Sequence, residues 1–471
     1  MANADLKKIP GVDFLMQDPD VMLWLKSFSP GIVKTLIRDH LETVRQDIIN
    51  GCPAPSVGVI LRCIKEKLNS LQISSLKRVI NATGIILNTN LGRAPLGPFI
   101  ADEVKEILSG YSNLEVELRT GKRSKRVLHV IDLIKLLTGA EDAVVVNNNA
   151  AAVSLIMKVF AAGREVIVSR GELVEIGGSF RMPDIIKASG SVMVEAGTTN
   201  RTNIHDYENA ISERSAILLK VHKSNYEIRG FTREVSIPEL SQIAREKNLL
   251  LVYDIGSGLL SREGMEILKS EPTVKESIAS GCDIITFSCD KLIGGPQAGI
   301  IAGRKVLIEK IAKDPLIRTY RADKIILSLL ASVLRCHLNH EERNRKLPVY
   351  TMLCRCSSAI KSSAYRLSYI LKDAGITSEV QKSSAYAGGG TMPGREIESY
   401  SIRLLCSGKR KDFAQKIYFS LLNSRRPVMA LLKKGEIYFD LMTIFEDEIT
   451  SLAEEIIKAY EEYNNGNGRA R

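Results

Sequence analysis

The sequence predicts an α/β protein with a mostly parallel central sheet, a helical segment before it and a smaller α+β unit after it. Three observations carry that expectation. Between residues 76 and 330, short apolar runs alternate with helical stretches, the pattern of strands joined by crossover helices. Several of these runs end in polar loops bearing a lysine, carboxylate, imidazole or amide, and open α/β sheets place their sites at such strand ends. Residues 1–75 and 331–463 lack the alternation.

In chain order, Val21 to Phe28 is apolar and holds the single tryptophan, Trp24. Ile32, Val33, Leu36, Ile37, Leu41, Val44 and Ile48 form a helical stripe that Asn50-Gly51 ends, and Val57 to Leu71 makes a further helix. Strands are expected at Ala143–Val146, Glu165–Val168, Val192–Glu195, Ala216–Val221, Leu249–Tyr253, Asp283–Phe287 and Gly299–Ala302. The helix beginning near Ala322 leads to the smaller unit, with strands at Tyr400–Leu405, Val428–Leu432 and Glu436–Leu441 and helices at Lys411–Leu422 and Glu446–Tyr463. Ala387 to Gly394 reads as a loop, either one that reaches the cleft or, the plainer reading, only a connection, and residues 464–471, without core-forming side chains, as a disordered tail.

Composition bounds the rest. The chain has 471 residues, 45% of them apolar and 25% charged, and a net charge of +11. Two to four folding units are expected at ~100–200 residues each, and the basic excess suits a polyanionic partner without identifying one. No run approaches the ~18–20 apolar residues of a membrane span, and the first ten residues lack the apolar core of an export signal. Eight scattered cysteines without Cys-x-x-Cys spacing fit a reduced cytoplasm, and Cys354-Arg355-Cys356 is too close-set for a zinc half-site. No metal is expected.

Lys291 lies in the turn Ser288-Cys289-Asp290-Lys291-Leu292-Ile293-Gly294-Gly295 between two apolar runs. A lone lysine after a strand is ordinarily solvated. Held in apolar surroundings it has a depressed pKa and condenses with an aldehyde. A pyridoxal-type cofactor then needs a carboxylate against its ring nitrogen, for which Asp254, at the end of Leu249–Tyr253, is the candidate. The run Asn147-Asn148-Asn149-Ala150 opens a helix after a strand and offers backbone N–H groups to a phosphate; its plainer reading is an Asn N-cap. His222, after Ala216–Val221, is placed to face the ring or its 3′ oxygen.

These stretches, with Ile80-Asn81-Ala82-Thr83-Gly84, Thr89-Asn90-Leu91-Gly92-Arg93-Ala94-Pro95-Leu96, Ser112-Asn113-Leu114-Glu115, Ser169 to Arg181 and Glu195 to Thr202, resemble the bacterial selenocysteine synthases. The resemblance implies a fold-type I, aspartate aminotransferase-like enzyme dependent on pyridoxal 5′-phosphate. It implies cofactor binding by Lys291, Asp254, Asn148, Asn149, Ala150, His222 and Ser288, and selenophosphate contacts from Arg93, Arg318 and Arg321. The implied reaction converts seryl-tRNA(Sec), through β-elimination to a dehydroalanyl intermediate, into selenocysteinyl-tRNA(Sec). The helical N-terminal domain would grip the tRNA, and the chain would form a homo-oligomer, a ring of dimers such as a decamer. Asn88 stands where the family usually has His, and Cys289 where it usually has Gly. The alternative is a lyase of the same cofactor acting on a small phosphorylated amino sugar or amino acid; a catalytically silent RNA-binding protein on the same fold is a third.

Overall fold

The computed structural model describes residues 5–176, 180–406 and 412–468. The chain divides into two compact units, Met1–Arg78 and Val79–Arg471. In the first, helices α1 (Val12–Met16), α2 (Pro19–Trp24), α3 (Pro30–Ile49) and α4 (Val57–Gln72) follow one another. Pro19 and Pro30 sit in the first turns of their helices, where a missing N–H costs nothing. The stripe Val33, Ile37, Leu41 of α3 meets Ile60, Ile64 and Leu68 of α4 around Leu15, Val21 and Trp24, so this unit has a core of its own.

The second unit is built on seven strands: β2 (Asp142–Val146), β3 (Glu165–Ser169), β6 (Val192–Ala196), β7 (Ser215–Val221), β8 (Leu250–Gly256), β9 (Ile284–Ser288) and β10 (Gly299–Gly303). Their order is β2-β10-β9-β8-β7-β3-β6. Neighbours from β9 to β6 are parallel, and β10 runs antiparallel between β2 and β9. Side chains alternate across the sheet, as the two-residue period of a strand requires. Val145, Ile167, Leu218, Leu251 and Ile285 enter one core, and Val144, Val166, Ile217, Val252 and Ile284 the other. These strands are therefore apolar on both faces, which is why they read as continuous hydrophobic runs, while edge strand β6 leaves Val192 and Glu195 exposed.

Within this unit β4 (Glu175–Ile176) and β5 (Phe180–Arg181) form a small hairpin. A second sheet, ordered β11-β12-β15-β14 and antiparallel throughout, contains β11 (Ser378–Gly388), β12 (Thr391–Leu404), β14 (Leu431–Lys433) and β15 (Glu436–Asp440). The expected strand Val428–Leu432 is two pieces, since β13 (Val428–Met429) pairs instead, in parallel, with β1 (Ile80–Asn81). Residues 80–87, which the sequence groups with the large sheet, thus attach to the smaller one: Asp440 N–H donates to Ala82 O, and Ile86 and Leu87 N–H donate to Tyr386 O and Ala387 O. The expected tail also differs, because the last helix runs from Ile449 to Gly468. Tyr463 packs edge-on against Phe413 at 5.1 Å and anchors that final stretch; residues 469–471 lie outside the described residues.

Candidate active site

Lys291, Asp254, His222, Asn148, Asn149, Ala150, Ser288 and Arg93 all line one cleft of about 210 Å³. It opens at the ends of β2, β7, β8 and β9, and strand order is what gathers residues so far apart in sequence.

Lys291 is only 3% exposed. Burial lowers its pKa; Asp254 opposes that shift and Arg93 adds to it. The loop carrying it is braced from beneath. Tyr350 OH donates to Leu292 O at 2.6 Å, and His337 Nε2–H donates to Ile293 O at 2.8 Å. Burial pushes His337 down to about 4, so its ring is neutral and suited to that bond. Lys220 is no rival for the amine role, because its Nζ is held by Glu172 at 2.8 Å and by Val235 O at 3.0 Å.

Asp254 lies within β8, two residues before the strand's end, where a register shift against β9 sets Asp254 opposite Thr286 and Gly256 opposite Phe287. Such bulges re-aim side chains beside active sites. Asn149 Nδ2 donates to Asp254 Oδ1 at 2.8 Å, and Thr286 Oγ1 donates to Asn149 Oδ1. Burial pushes the Asp254 carboxyl up, against the pull of Asn149 and Lys291. Among the described residues it has no ion-pair partner. A buried carboxylate in that position wants a cation.

Helix α5 (Asn149–Ala161) begins at the cleft, and Asn148 caps it by accepting from Ala151 N–H at 2.8 Å. The plain N-cap reading and the anion-site reading therefore hold together: the cap fixes the helix end whose remaining first-turn N–H groups face the cavity. Asn149 has a different task from the one expected, since its side chain orients Asp254. The Asn147 side-chain oxygen is buried without a hydrogen-bond partner. Close packing behind this turn depends on Gly299, where a Cβ would lie 2.4 Å from Asn148 O.

His222 N–H donates to Asp254 O at 2.9 Å, and its Nε2 lies 3.3 Å from Glu271 Oε1. That approach is off the hydrogen-bonding axis, so both atoms, with Ser257 Oγ, are buried and unsatisfied. Burial would raise the Glu271 carboxyl, but His222, with Ser257 and Lys291, outweighs this and holds it low. Arg93, at φ 61°, donates from Nη1 to Asp290 Oδ2 at 2.6 Å, next to Lys291.

Arg318 and Arg321 do not line the cleft of the single chain. Both are exposed, and Arg321 Nη1 lies 3.7 Å from Glu115 Oε1. Their segment nevertheless adjoins the Asn147 turn, for Asn147 N–H donates to Tyr320 O at 2.8 Å and Arg321 bridges Val146. Neither sequence departure enters the cleft. Asn88 caps a short turn, accepting from Asn90 N–H at 3.1 Å and donating to Thr83 Oγ1 at 3.3 Å. The Cys289 thiol points into the apolar core, not toward the lysine, and burial raises its pKa well above normal. Sequence reasoning missed Glu271, Asp290, Thr286, Ser224 and Gln297 as site residues.

Pyridoxal phosphate fits what is present. Lys291 offers an amine, Asp254 an unpaired carboxylate for a protonated ring nitrogen, and the α5 terminus donors for a phosphate. The family described as L-seryl-tRNA selenium transferase matches residues 79–445. The chain is 41% identical over 451 residues to the L-seryl-tRNA(Sec) selenium transferase of Aquifex aeolicus (strain VF5), covering 95% of this chain and 97% of that one. It is 40% identical over 456 residues to that of Clostridium botulinum (strain Okra / Type B1), covering 96% and 98%. Among solved structures, D-glucosaminate-6-phosphate ammonia-lyase aligns with a TM-score of 0.57 at 20% identity, over 84% of this chain and 98% of that one, a likeness of fold. With a match that spans both the cleft and most of the chain, the protein belongs to the L-seryl-tRNA selenium transferase family.

Proposed function

We propose that this enzyme replaces the hydroxyl of seryl-tRNA(Sec) with selenium from selenophosphate, giving selenocysteinyl-tRNA(Sec). The observation that carries the reading is the buried Lys291 amine and unpaired Asp254 carboxylate in one cleft, in a chain about 40% identical almost end to end to transferases of that name. The cofactor is pyridoxal phosphate, which when bound supplies an electron sink for the bond-breaking steps. Lys291 would hold its aldehyde, and its desolvated amine, neutral more readily than an ordinary lysine, would take the α-proton of the seryl group. Asp254, oriented by Asn149 and Thr286, would keep the ring nitrogen protonated. Asn148, Ala150 and Ser288 would line the phosphate, and His222 one wall of the ring site.

Arg93, Arg318 and Arg321 are the proposed contacts of selenophosphate. Planar, permanently charged guanidinium groups suit such oxyanions. Arg93 already lies beside Lys291, and the exposed pair stands next to the Asn147 turn. The helical first unit is proposed to bind the tRNA, a reading supported by the presence of every cleft residue in the second unit. A ring of dimers, such as a decamer, is supported by exposed apolar side chains between residues 99 and 136, among them Phe99, Tyr111, Leu118, Leu128 and Leu136. Among the described residues no helix is long and apolar enough to cross a membrane. The cytoplasm is the proposed location, where the tRNA substrate is.

Purified protein supplied with pyridoxal phosphate, seryl-tRNA(Sec) and selenophosphate should yield selenocysteinyl-tRNA(Sec), and Lys291→Ala should yield none. No conversion, together with turnover of a small phosphorylated amino sugar or amino acid, would hand the site to the lyase reading.

A further inference from the structure

The hairpin turn between β11 and β12 does not merely connect. Gly388, Gly389 and Gly390 all have positive φ, at 72°, 60° and 72°, and the turn is fastened to residues 84–87 by backbone hydrogen bonds. The three glycines have different reasons to be there. A Cβ at Gly388 would fall 2.4 Å from Ile85 Cγ2, and one at Gly389 2.8 Å from Leu87 Cβ, so the packing of the turn against residues 85–87 excludes side chains at both. A Cβ at Gly390 would clash with no neighbour. It would point into the cleft, 3.4 Å from Ser224 Oγ, 3.6 Å from Asn225 Cβ and 3.6 Å from Lys291 Nζ.

We propose that Gly390 is a specificity-determining residue, whose missing side chain leaves the space over the Lys291 amine that the seryl end of the tRNA must occupy. The proposal rests on Lys291 being the reacting amine. Its backbone conformation alone does not explain the glycine, because asparagine tolerates positive φ better than other residues with side chains. Bulk and strain therefore predict opposite orders for two substitutions. If strain governs, Gly390→Asn is milder than Gly390→Ala; if space governs, the larger asparagine is the worse.

The test compares Gly390→Ala and Gly390→Asn as full-length holoenzymes. Gly435→Ala and Gly435→Asn serve as strain controls, since Gly435 has φ 79° in another turn of the same sheet with nothing within 4 Å of its built Cβ. Ser224→Thr adds bulk to the same space from the facing wall without touching the turn. Cofactor absorbance, melting temperature, tRNA affinity and conversion of seryl-tRNA(Sec) are measured for each. Gly390→Ala should lower kcat about tenfold and Gly390→Asn about a hundredfold or more, the scale of misfit by one or a few heavy atoms in a pocket. KM should change little, because binding the tRNA body does not use this space. Ser224→Thr should lower kcat in the same way, with cofactor and melting temperature retained. At position 435 the order should reverse, asparagine melting higher than alanine. Conversion by Gly390→Asn equal to or above that of Gly390→Ala, or an unimpaired Ser224→Thr, overturns the proposal. Borohydride reduction of wild-type holoenzyme checks the premise separately, since an adduct on any other lysine refutes the choice of amine rather than the role of the turn.

Discussion

At Lys291, burial and the charges around it set when the amine is free to react. Burial depresses its pKa, Asp254 raises it and Arg93 lowers it. The amine condenses with an aldehyde above its folded pKa and stops as pH falls through it. Asp254→Asn should therefore move the midpoint of cofactor loading by stripped protein to lower pH. Arg93→Gln, which also frees Asp290, should move it to higher pH. The midpoint is read from loading rate against pH, and shifts of the opposite sign would show that other groups control the amine. Glu271 makes a second test. Glu271→Gln keeps the shape but removes the charge beside His222, and kcat should fall about tenfold, ~1.4 kcal/mol, with cofactor content unchanged; unaltered turnover would show that the wall formed by His222 needs no support. Lys291 and Asp254 were legible because each follows an apolar run. Glu271 was not, because it sits in the polar stretch Lys269-Ser270-Glu271-Pro272 and meets His222 only through the β7–β8 neighbourhood. Asn149 was legible as a residue of the site but not in its role, since its bond to Asp254 joins the first residue of α5 to β8, which is not adjacent to the strand β2 that leads into α5.

Among the elements, the turn from β2 into α5 depends on β10 more than on its own sequence. Gly299→Ala would set a methyl against Asn148 O and, at 2.8 Å, Asn149 N, backbone atoms with no freedom to yield. Destabilisation of about 1–3 kcal/mol is expected, typical of overpacking, with a larger proportional loss of cofactor affinity than of melting temperature. Thermal melts and cofactor titration check this, and a normal affinity would mean that the α5 terminus tolerates displacement. Every strand of the large sheet was readable from the chain as a short apolar run, the inner ones being apolar on both faces. Strand β11 was not. Its residues Glu379, Gln381, Lys382, Ser383 and Ser384 give no alternation, because over this stretch it is an edge strand paired with β12 and largely solvated. The antiparallel sense of β10 was likewise hidden, since it follows from how the lysine loop doubles back.

Across the whole molecule, the first unit's separate core allows a cut. Protein lacking Met1–Arg78 should fold and take up cofactor, because the cleft lies wholly in Val79–Arg471. Its affinity for seryl-tRNA(Sec) should fall sharply and its binding should become less sensitive to salt, as phosphate contacts are lost. Equal affinity in a filter-binding titration would make the first unit a packing element. Light scattering tests the ring separately: a fully active monomer refutes it. The place of β10 has a further consequence, one of timing. Among the described residues, β2 has β10 as its one neighbour in the large sheet, so during synthesis the strand leading into the phosphate turn waits at the growing edge until the lysine loop has left the ribosome. The Ile80–Val428 pairing waits longer still, because Val428 is made after every strand of the large sheet. Such pairings between distant segments form slowly. Cofactor capture is therefore a late event in the making of this enzyme, and a nascent chain stopped before Gly299 should expose an unpaired β2 edge to chaperones.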